Sequence, residues 1–275
     1  MAKLDKNGLS KDQIRQLMEE RRYEKDLATA EAVDHIAVEQ GGYYILCLKH
    51  GQKYSAEYVN RLYSMVKRNC TLPFTFVCLT EDPAFLHEDI KVIALPNFLS
   101  GWWCKPYMFS KDLPIKGTIL YMDLDVVVSG NIDKLLTYQP HHWCTIRDFT
   151  RAMRSNWPKY NSSIVRFKTG QLDFLWEKFR KERATIVKKY HGDQDYLYAE
   201  TRIKQAFLYP DSWIQSWKWE VRKSREFATG GRRGERKFKF DEHDAKPRVE
   251  CCVCVFHGDP NPEHCNDKWV KDNWC

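Results

Sequence analysis

The sequence predicts an α/β fold built on a mixed, mostly parallel central sheet flanked by helices. Three observations carry this. From Tyr43 onward, short apolar runs rich in β-branched and aromatic residues alternate with helical periodicity, the pattern of strand–helix–strand units. One of these runs, residues 118–123 (TILYMD), ends in an aspartate, and ligands of such sheets bind at the carboxyl ends of strands. No G-x-G-x-x-G follows the first strand and no G-x-x-x-x-G-K-S/T occurs, which removes support from the commonest dinucleotide and P-loop versions of the fold.

The elements follow in order. Residues 43–48 (YYILCL) read as a buried strand, and residues 56–68 as a helix with Val59, Leu62, Tyr63 and Val66 on one face. Residues 74–79 (FTFVCL) and 91–95 give two more strands, residues 106–111 a helix, and 118–123 the strand that ends in acid. Beyond it, residues 143–147 and 164–167 read as strands, 171–189 and 193–201 as helices, and 252–256 (CVCVF) as a last buried strand ending at His257. Residues 228–239 (ATGGRRGERKFK), glycine-rich and basic, read as a mobile loop. No internal repeat is present.

The 275 residues suit one large domain with an appended segment. Residues 1–40 form that segment, a helical extension in which Ser10 and Gln13 make a capping-box pattern ahead of Ile14, Leu17 and Met18. It is read as packing on the main domain (41–275) or on another subunit, so a homo-oligomer is among the expectations. The extension is highly charged, with no apolar signal region, and no stretch approaches the ~18 apolar residues of a membrane span. A cytoplasmic protein without a transmembrane segment is expected, its ten cysteines mostly reduced and buried. Cys251, Cys252, Cys254, Cys265 and Cys275 cluster in sequence, but without the C-x-x-C pairs that favour zinc. The net charge of +7 favours an anionic partner, whether nucleic acid, a membrane surface or a phosphorylated small molecule.

The strongest chemical signal is Asp123-Leu124-Asp125, set between two apolar runs. Two carboxylates at a strand end repel each other unless a cation sits between them. Their hard oxygens suit Mg²⁺ or Mn²⁺, which can bridge to a diphosphate. His257, directly after a buried strand and followed by Gly258, can add an imidazole to that site, and the glycine lets backbone approach a phosphate. Asp193, Gln194 and Asp195 open a helix, where Asp193 either caps the helix or joins its neighbours in gripping sugar hydroxyls.

Together these motifs resemble the GT-A glycosyltransferases, in particular glycosyltransferase family 8 and its bacterial and viral relatives. The resemblance spans residues 43–274 and implies a nucleotide-sugar donor, UDP-linked in preference to GDP-linked, with Mn²⁺ or Mg²⁺ held by Asp123, Asp125 and His257. It implies donor contacts from Lys49, Tyr54, Lys105, Leu124, Asn161, Ser162 and Gly258, and a reacting centre at Asp193, Gln194 and Asp195. The implied reaction moves a hexose to a glycan or other hydroxyl acceptor with retention. A front-face route is favoured over double displacement through Gln194, because an amide oxygen is a poor nucleophile. The chain departs from the family in having Asn261 where a lysine often follows the His-Gly pair, and serine rather than glycine after Ser162. A base from residues 232–239 is one candidate to replace that lysine.

Trp213, Trp217 and Trp219 suit either stacking on a sugar or the core. The basic stretch 222–239 suits an anionic acceptor, a solvated loop or a lid over the donor. The competing classes are a nucleic-acid-modifying or nucleic-acid-binding protein, an inactive fold relative acting in protein contacts, and a metal-dependent nucleotidyltransferase. A pure nucleic-acid binder is disfavoured, because no helix-turn-helix, RNA-recognition or zinc-finger pattern is present.

Overall fold

The computed structural model describes residues 42–202, 206–222 and 245–275. The expected extension over residues 1–40 and the loop over residues 228–239 lie outside the described residues. Strands β1 (Gly42–Lys49), β2 (Phe74–Thr80), β3 (Lys91–Ala94) and β4 (Gly117–Met122) fall where the apolar runs place them, with helix α1 (Ala56–Asn69) between the first two. They are followed by β5 (Val126–Val128), α2 (Asp133–Thr137), β6 (Cys144–Arg147), β7 (Tyr160–Lys168), α3 (Asp173–Lys189) and α4 (Asp193–Glu200). The chain ends with β8 (Phe207–Leu208), β9 (Ile214–Ser216), β10 (Val253–Val255) and α5 (Lys268–Asn273).

Seven strands make one sheet in the order β3-β2-β1-β4-β7-β6-β8. The pairs β3/β2, β2/β1, β1/β4 and β6/β8 are parallel, and β7 runs antiparallel to both β4 and β6. A second sheet, β5-β10-β9, packs nearby. Successive side chains of a strand alternate between faces, and both faces of the large sheet are covered. Ile45, Cys47, Phe76, Leu120 and Met122 meet α1 and the small sheet. Tyr44, Leu46, Val77, Ile119 and Tyr121 meet α3 and α4. Burial on both faces explains why these strands read as continuous apolar runs.

Some expectations needed correction. The helix expected over residues 106–111 is a 3-10 segment, Gly101–Phe109, interrupted by Pro106, whose ring removes a backbone donor from its interior. The strand expected over residues 164–167 runs from Tyr160 to Lys168, so Asn161, Ser162 and Ser163 lie on it. Trp217 belongs to the core: it is fully buried and stacks on Phe256 at 5.1 Å, with its indole N–H donating to Asp267 at 2.8 Å. Trp213 and Trp219 pack against the same core. All ten cysteines are free thiols, most of them buried.

The start of the sheet contains a position that only glycine fits. Gly42 pairs with Gly117 across β1 and β4. A Cβ on Gly117 would stand 2.2 Å from the Gly42 carbonyl oxygen, a backbone atom that cannot rotate away. Gly117→Ala is therefore expected to destabilise the protein by about 2–3 kcal/mol through overpacking. Denaturant unfolding checks this, and an unchanged midpoint would contradict it.

Candidate active site

The Asp123-Leu124-Asp125 motif sits where the chain leaves the large sheet for the small one. The Asp123 N–H donates to the Ser163 carbonyl at 2.9 Å, extending the β4/β7 ladder by one rung. The Asp125 carbonyl accepts from the Phe256 N–H at 2.8 Å, beside the β5/β10 ladder. Leu124 between them is buried in the core and pins the crossing. Both carboxylates are thereby held at the carboxyl end of β4, a strand parallel to β1.

Each carboxylate has its own partners. Asp123 Oδ1 accepts from the Tyr121 hydroxyl at 2.7 Å, and Lys105 Nζ stands 2.9 Å from the same oxygen. Lys105 comes from the 3-10 segment, and its Nζ also lies 3.2 Å from Asp193 Oδ2 and 3.2 Å from Ser162 Oγ. The Ser162 hydroxyl donates to Asp193 Oδ2 at 2.7 Å. Asp193 is the first residue of α4 after the Gly192 N-cap, so it is not itself the cap. One ammonium thus joins the strand-end acid to the helix-start acid. Asp125 Oδ2 accepts from the Tyr54 hydroxyl at 3.0 Å.

The remaining expected residues are spread around this centre. Asn161 is buried and its Oδ1 accepts the Ser163 N–H at 2.9 Å, within the stretch where β7 shifts register against β6 beside Asp123. Gln194 Nε2 donates to Asp148 at 2.8 Å, and Asp195 pairs with Lys159 at 2.8 Å, so these two turn to partners other than Lys105. Lys49, buried at the end of β1, donates to the Asp82 carbonyl at 3.3 Å. His257 stacks on Phe149 at 5.1 Å, and its Nε2 lies 2.7 Å from Ser216 Oγ. Gly258 follows with φ +76. Among the described residues no group of three or more His, Cys, Asp and Glu side chains is gathered to hold a metal. The structure brings Asp123 and Asp125 close and leaves the His257 ring on Ser216.

Electrostatics sort these groups. Burial first, and then the charge of Asp123, pushes the Asp125 carboxyl up to about 6. Burial works against the Lys105 ammonium, but Asp123 and Asp193 outweigh it and hold its pKa above the ordinary lysine range. Burial, with Asp125 adding, raises Tyr54, which stays a neutral donor. Burial, with Lys218 adding, pushes His257 down to about 3. Asp123 and Asp125 supply hard carboxylate oxygens of the kind a divalent cation takes, one of them buried and repelled by the other, while the His257 imidazole stays uncharged on Ser216 and does not join them.

His257 also carries a pH signature. Its folded pKa lies below the unfolded value of 6.5, so the unfolded chain binds the extra proton between about pH 3 and 6.5. Its contribution therefore falls as the pH drops through that window, whereas Asp125, raised, works in the opposite sense below about pH 6. His257→Gln is expected to flatten the loss of stability from pH 6.5 to 4.5, by up to about 1.4 kcal/mol per pH unit. Denaturant unfolding at three pH values checks it, and parallel slopes for the two proteins would contradict it.

The sequence reading missed Tyr121, Ser216 and Lys218. Tyr121 was legible, two residues before Asp123 on the same face of a strand. Ser216 and Lys218 lie on a three-residue strand and a short π-helical turn (Trp217–Val221), too brief to carry a period.

With the sheet order and the strand-end acids in place, comparison with solved structures settles the architecture. The fold is the GT-A fold of glycosyltransferases. The chain is similar to the glycosyltransferase GlyE of Streptococcus pneumoniae, with a TM-score of 0.57 and 12% identity over 86% of this chain and 60% of that one. It is similar to the galactosyltransferase LgtC, solved with donor and acceptor sugar analogs, with a TM-score of 0.53 and 11% identity over 83% of this chain and 93% of that one. The bifunctional glycosyltransferase WbbM gives a TM-score of 0.53 and 11% identity over 84% of this chain and 48% of that one. The chain thus spans 60% of the length of GlyE but nearly all of LgtC. No protein-family model and no curated protein sequence matches it.

Proposed function

We propose that this protein is a metal-dependent glycosyltransferase. It transfers a hexose, with retention, from a nucleotide-diphosphate sugar, UDP-linked in preference to GDP-linked, to a hydroxyl acceptor such as a glycan. The observation that carries the reading is the Lys105 ammonium held between Asp123 at the end of β4 and Asp193 at the start of α4. It links the acidic strand end, where the diphosphate belongs, to the helix start, where the sugar belongs. Neighbours on the same fold support the class: LgtC has been solved with donor and acceptor sugar analogs.

Breaking the glycosidic bond leaves negative charge on the departing diphosphate. A divalent cation at Asp123 and Asp125 would supply Lewis-acid stabilisation of that charge. Lys105 adds a fixed positive charge that needs no reorganisation when the bond breaks. Asp193 accepts hydrogen bonds from donor-sugar hydroxyls, with Asn161 and Ser162 behind it on β7. Gln194, oriented by Asp148, lies beside the reacting carbon without attacking it, and Asp195 is neutralised by Lys159. The acceptor hydroxyl then enters on the face that the leaving group vacates, and its proton passes to the departing phosphate oxygen.

Titration calorimetry tests the donor site. UDP-sugars are expected to bind with Mn²⁺ present and at least about tenfold more weakly with EDTA. Equal binding in both conditions would refute the metal assignment.

A further inference from the structure

Residues 259–263, directly after His257-Gly258, carry no base, and Asn261 occupies the slot where the family resemblance puts a lysine. A lysine reaches the same turn from a different element. Lys218 lies on the π-helical turn Trp217–Val221, directly after β9, and is 7% exposed. Its Nζ donates to the His257 carbonyl oxygen. A Cβ on Gly258 would stand 3.2 Å from that Nζ, so the ammonium lies against a residue that has no side chain to cover it. Gly258 has φ +76, which a residue with a Cβ adopts only under strain.

The turn that carries Lys218 is braced. The Arg222 N–H donates to the Trp217 carbonyl at 2.7 Å, closing the wide turn, and the Ser216 hydroxyl accepts the Trp219 N–H at 3.1 Å. Wide turns of this kind concentrate at functional sites. The same Ser216 hydroxyl faces His257 Nε2, so the ring and the ammonium are set by one short segment. The Phe256 N–H, one residue before the His257 whose carbonyl Lys218 meets, donates to the Asp125 carbonyl, so Lys218 and the Asp125 backbone meet adjacent residues at the end of β10. The Lys218 charge reaches His257, where it adds to burial in keeping the imidazole neutral.

We infer that Lys218 is a diphosphate-binding residue of the donor site, supplying from the turn after β9 the fixed positive charge that the His257-Gly258 stretch lacks. The inference rests on the donor reading above. The ammonium, released from the His257 carbonyl, meets the terminal phosphate across the uncovered face of Gly258. It adds a second fixed positive charge to that of Lys105, which stands between Asp123 and Asp193.

Affinities for UDP and UMP, and for GDP and GMP, measured with Mn²⁺ on the full chain, test this. Lys218→Met is expected to weaken the diphosphate by about 10- to 100-fold and the monophosphate by less than about threefold. Lys218→Arg, which keeps the charge, is expected to retain most of the affinity. Lys218→Gln removes the charge in a second way, should the methionine variant fail to fold. Unchanged UDP binding in a folded neutral variant, or equal losses for UDP and UMP, would overturn the role of Lys218. A wild-type protein that binds neither UDP nor GDP would overturn the donor reading itself, and the inference with it.

Discussion

Asp125→Asn is expected to abolish turnover and at the same time make the folded protein more stable. The carboxyl is buried, and Asp123 repels it, so its folded pKa stands near 6. A raised carboxyl contributes stability below its unfolded pKa, and that contribution is lost as the pH rises through 6. Above pH 6 the parent therefore carries an ionised group in an unfavourable place, and asparagine does not. The gain at pH 7.5 is expected to be on the order of 1–2 kcal/mol, closing as the pH falls towards 4 and the buried Asp125 carboxyl takes up its proton. Tyr54 keeps an acceptor, because an amide oxygen replaces Oδ2. Activity falls by at least ~10³-fold, because a neutral amide is a poor ligand for a hard cation. Denaturant unfolding and donor turnover measured on the same preparation check both halves. A variant that is less stable at pH 7.5, or that turns over normally, would contradict the assignment.

Lys105→Met is expected to damage both stability and activity. The ammonium neutralises Asp123 and Asp193 together, and all three side chains are mostly buried. Removing it leaves two carboxylates facing each other, a loss of about 3 kcal/mol, at the low end for a broken buried pair because both acids keep some solvent. Turnover is expected to fall by ~10²–10³-fold, the usual size of a lost preorganised charge at a leaving group. The variant carries its own control: Mn²⁺ should raise its melting temperature more than it raises the parent's, since the added cation replaces the missing one. Equal metal-induced shifts in the two proteins would separate Lys105 from the metal site.

Much of the fold is legible in the sequence because the large sheet is buried on both faces. Its strands β1, β2 and β4 are continuous apolar runs, and α1 carries a clean apolar stripe, so period and composition agree. The elements that escape are short. β8 has two residues and β9 three, and each exists because a neighbour offers a ladder, β6 for the one and β10 for the other. The acids were legible for the same reason as the strands: a charge that interrupts two buried runs is conspicuous. What could not be read is which partner each acid meets. Lys105 and Asp193 are 88 residues apart and are joined only by the packing of the 3-10 segment against α4. The sequence sets His257 beside the acids because it follows a buried strand, and β10 does end just before it. Its ring direction is set by Phe149 and Ser216, neither of which lies near it in sequence.

The central claim is that this site breaks the bond between a sugar and a nucleoside diphosphate. The most direct measurement incubates the full chain with a panel of UDP- and GDP-sugars, with Mn²⁺ or with EDTA, and quantifies the nucleotide released. Release of UDP from one donor is expected, lost on chelation and lost in Asp125→Asn. Release of pyrophosphate instead of a nucleoside diphosphate, or no release and no binding of any nucleotide sugar by the folded, metal-supplied protein, would contradict it.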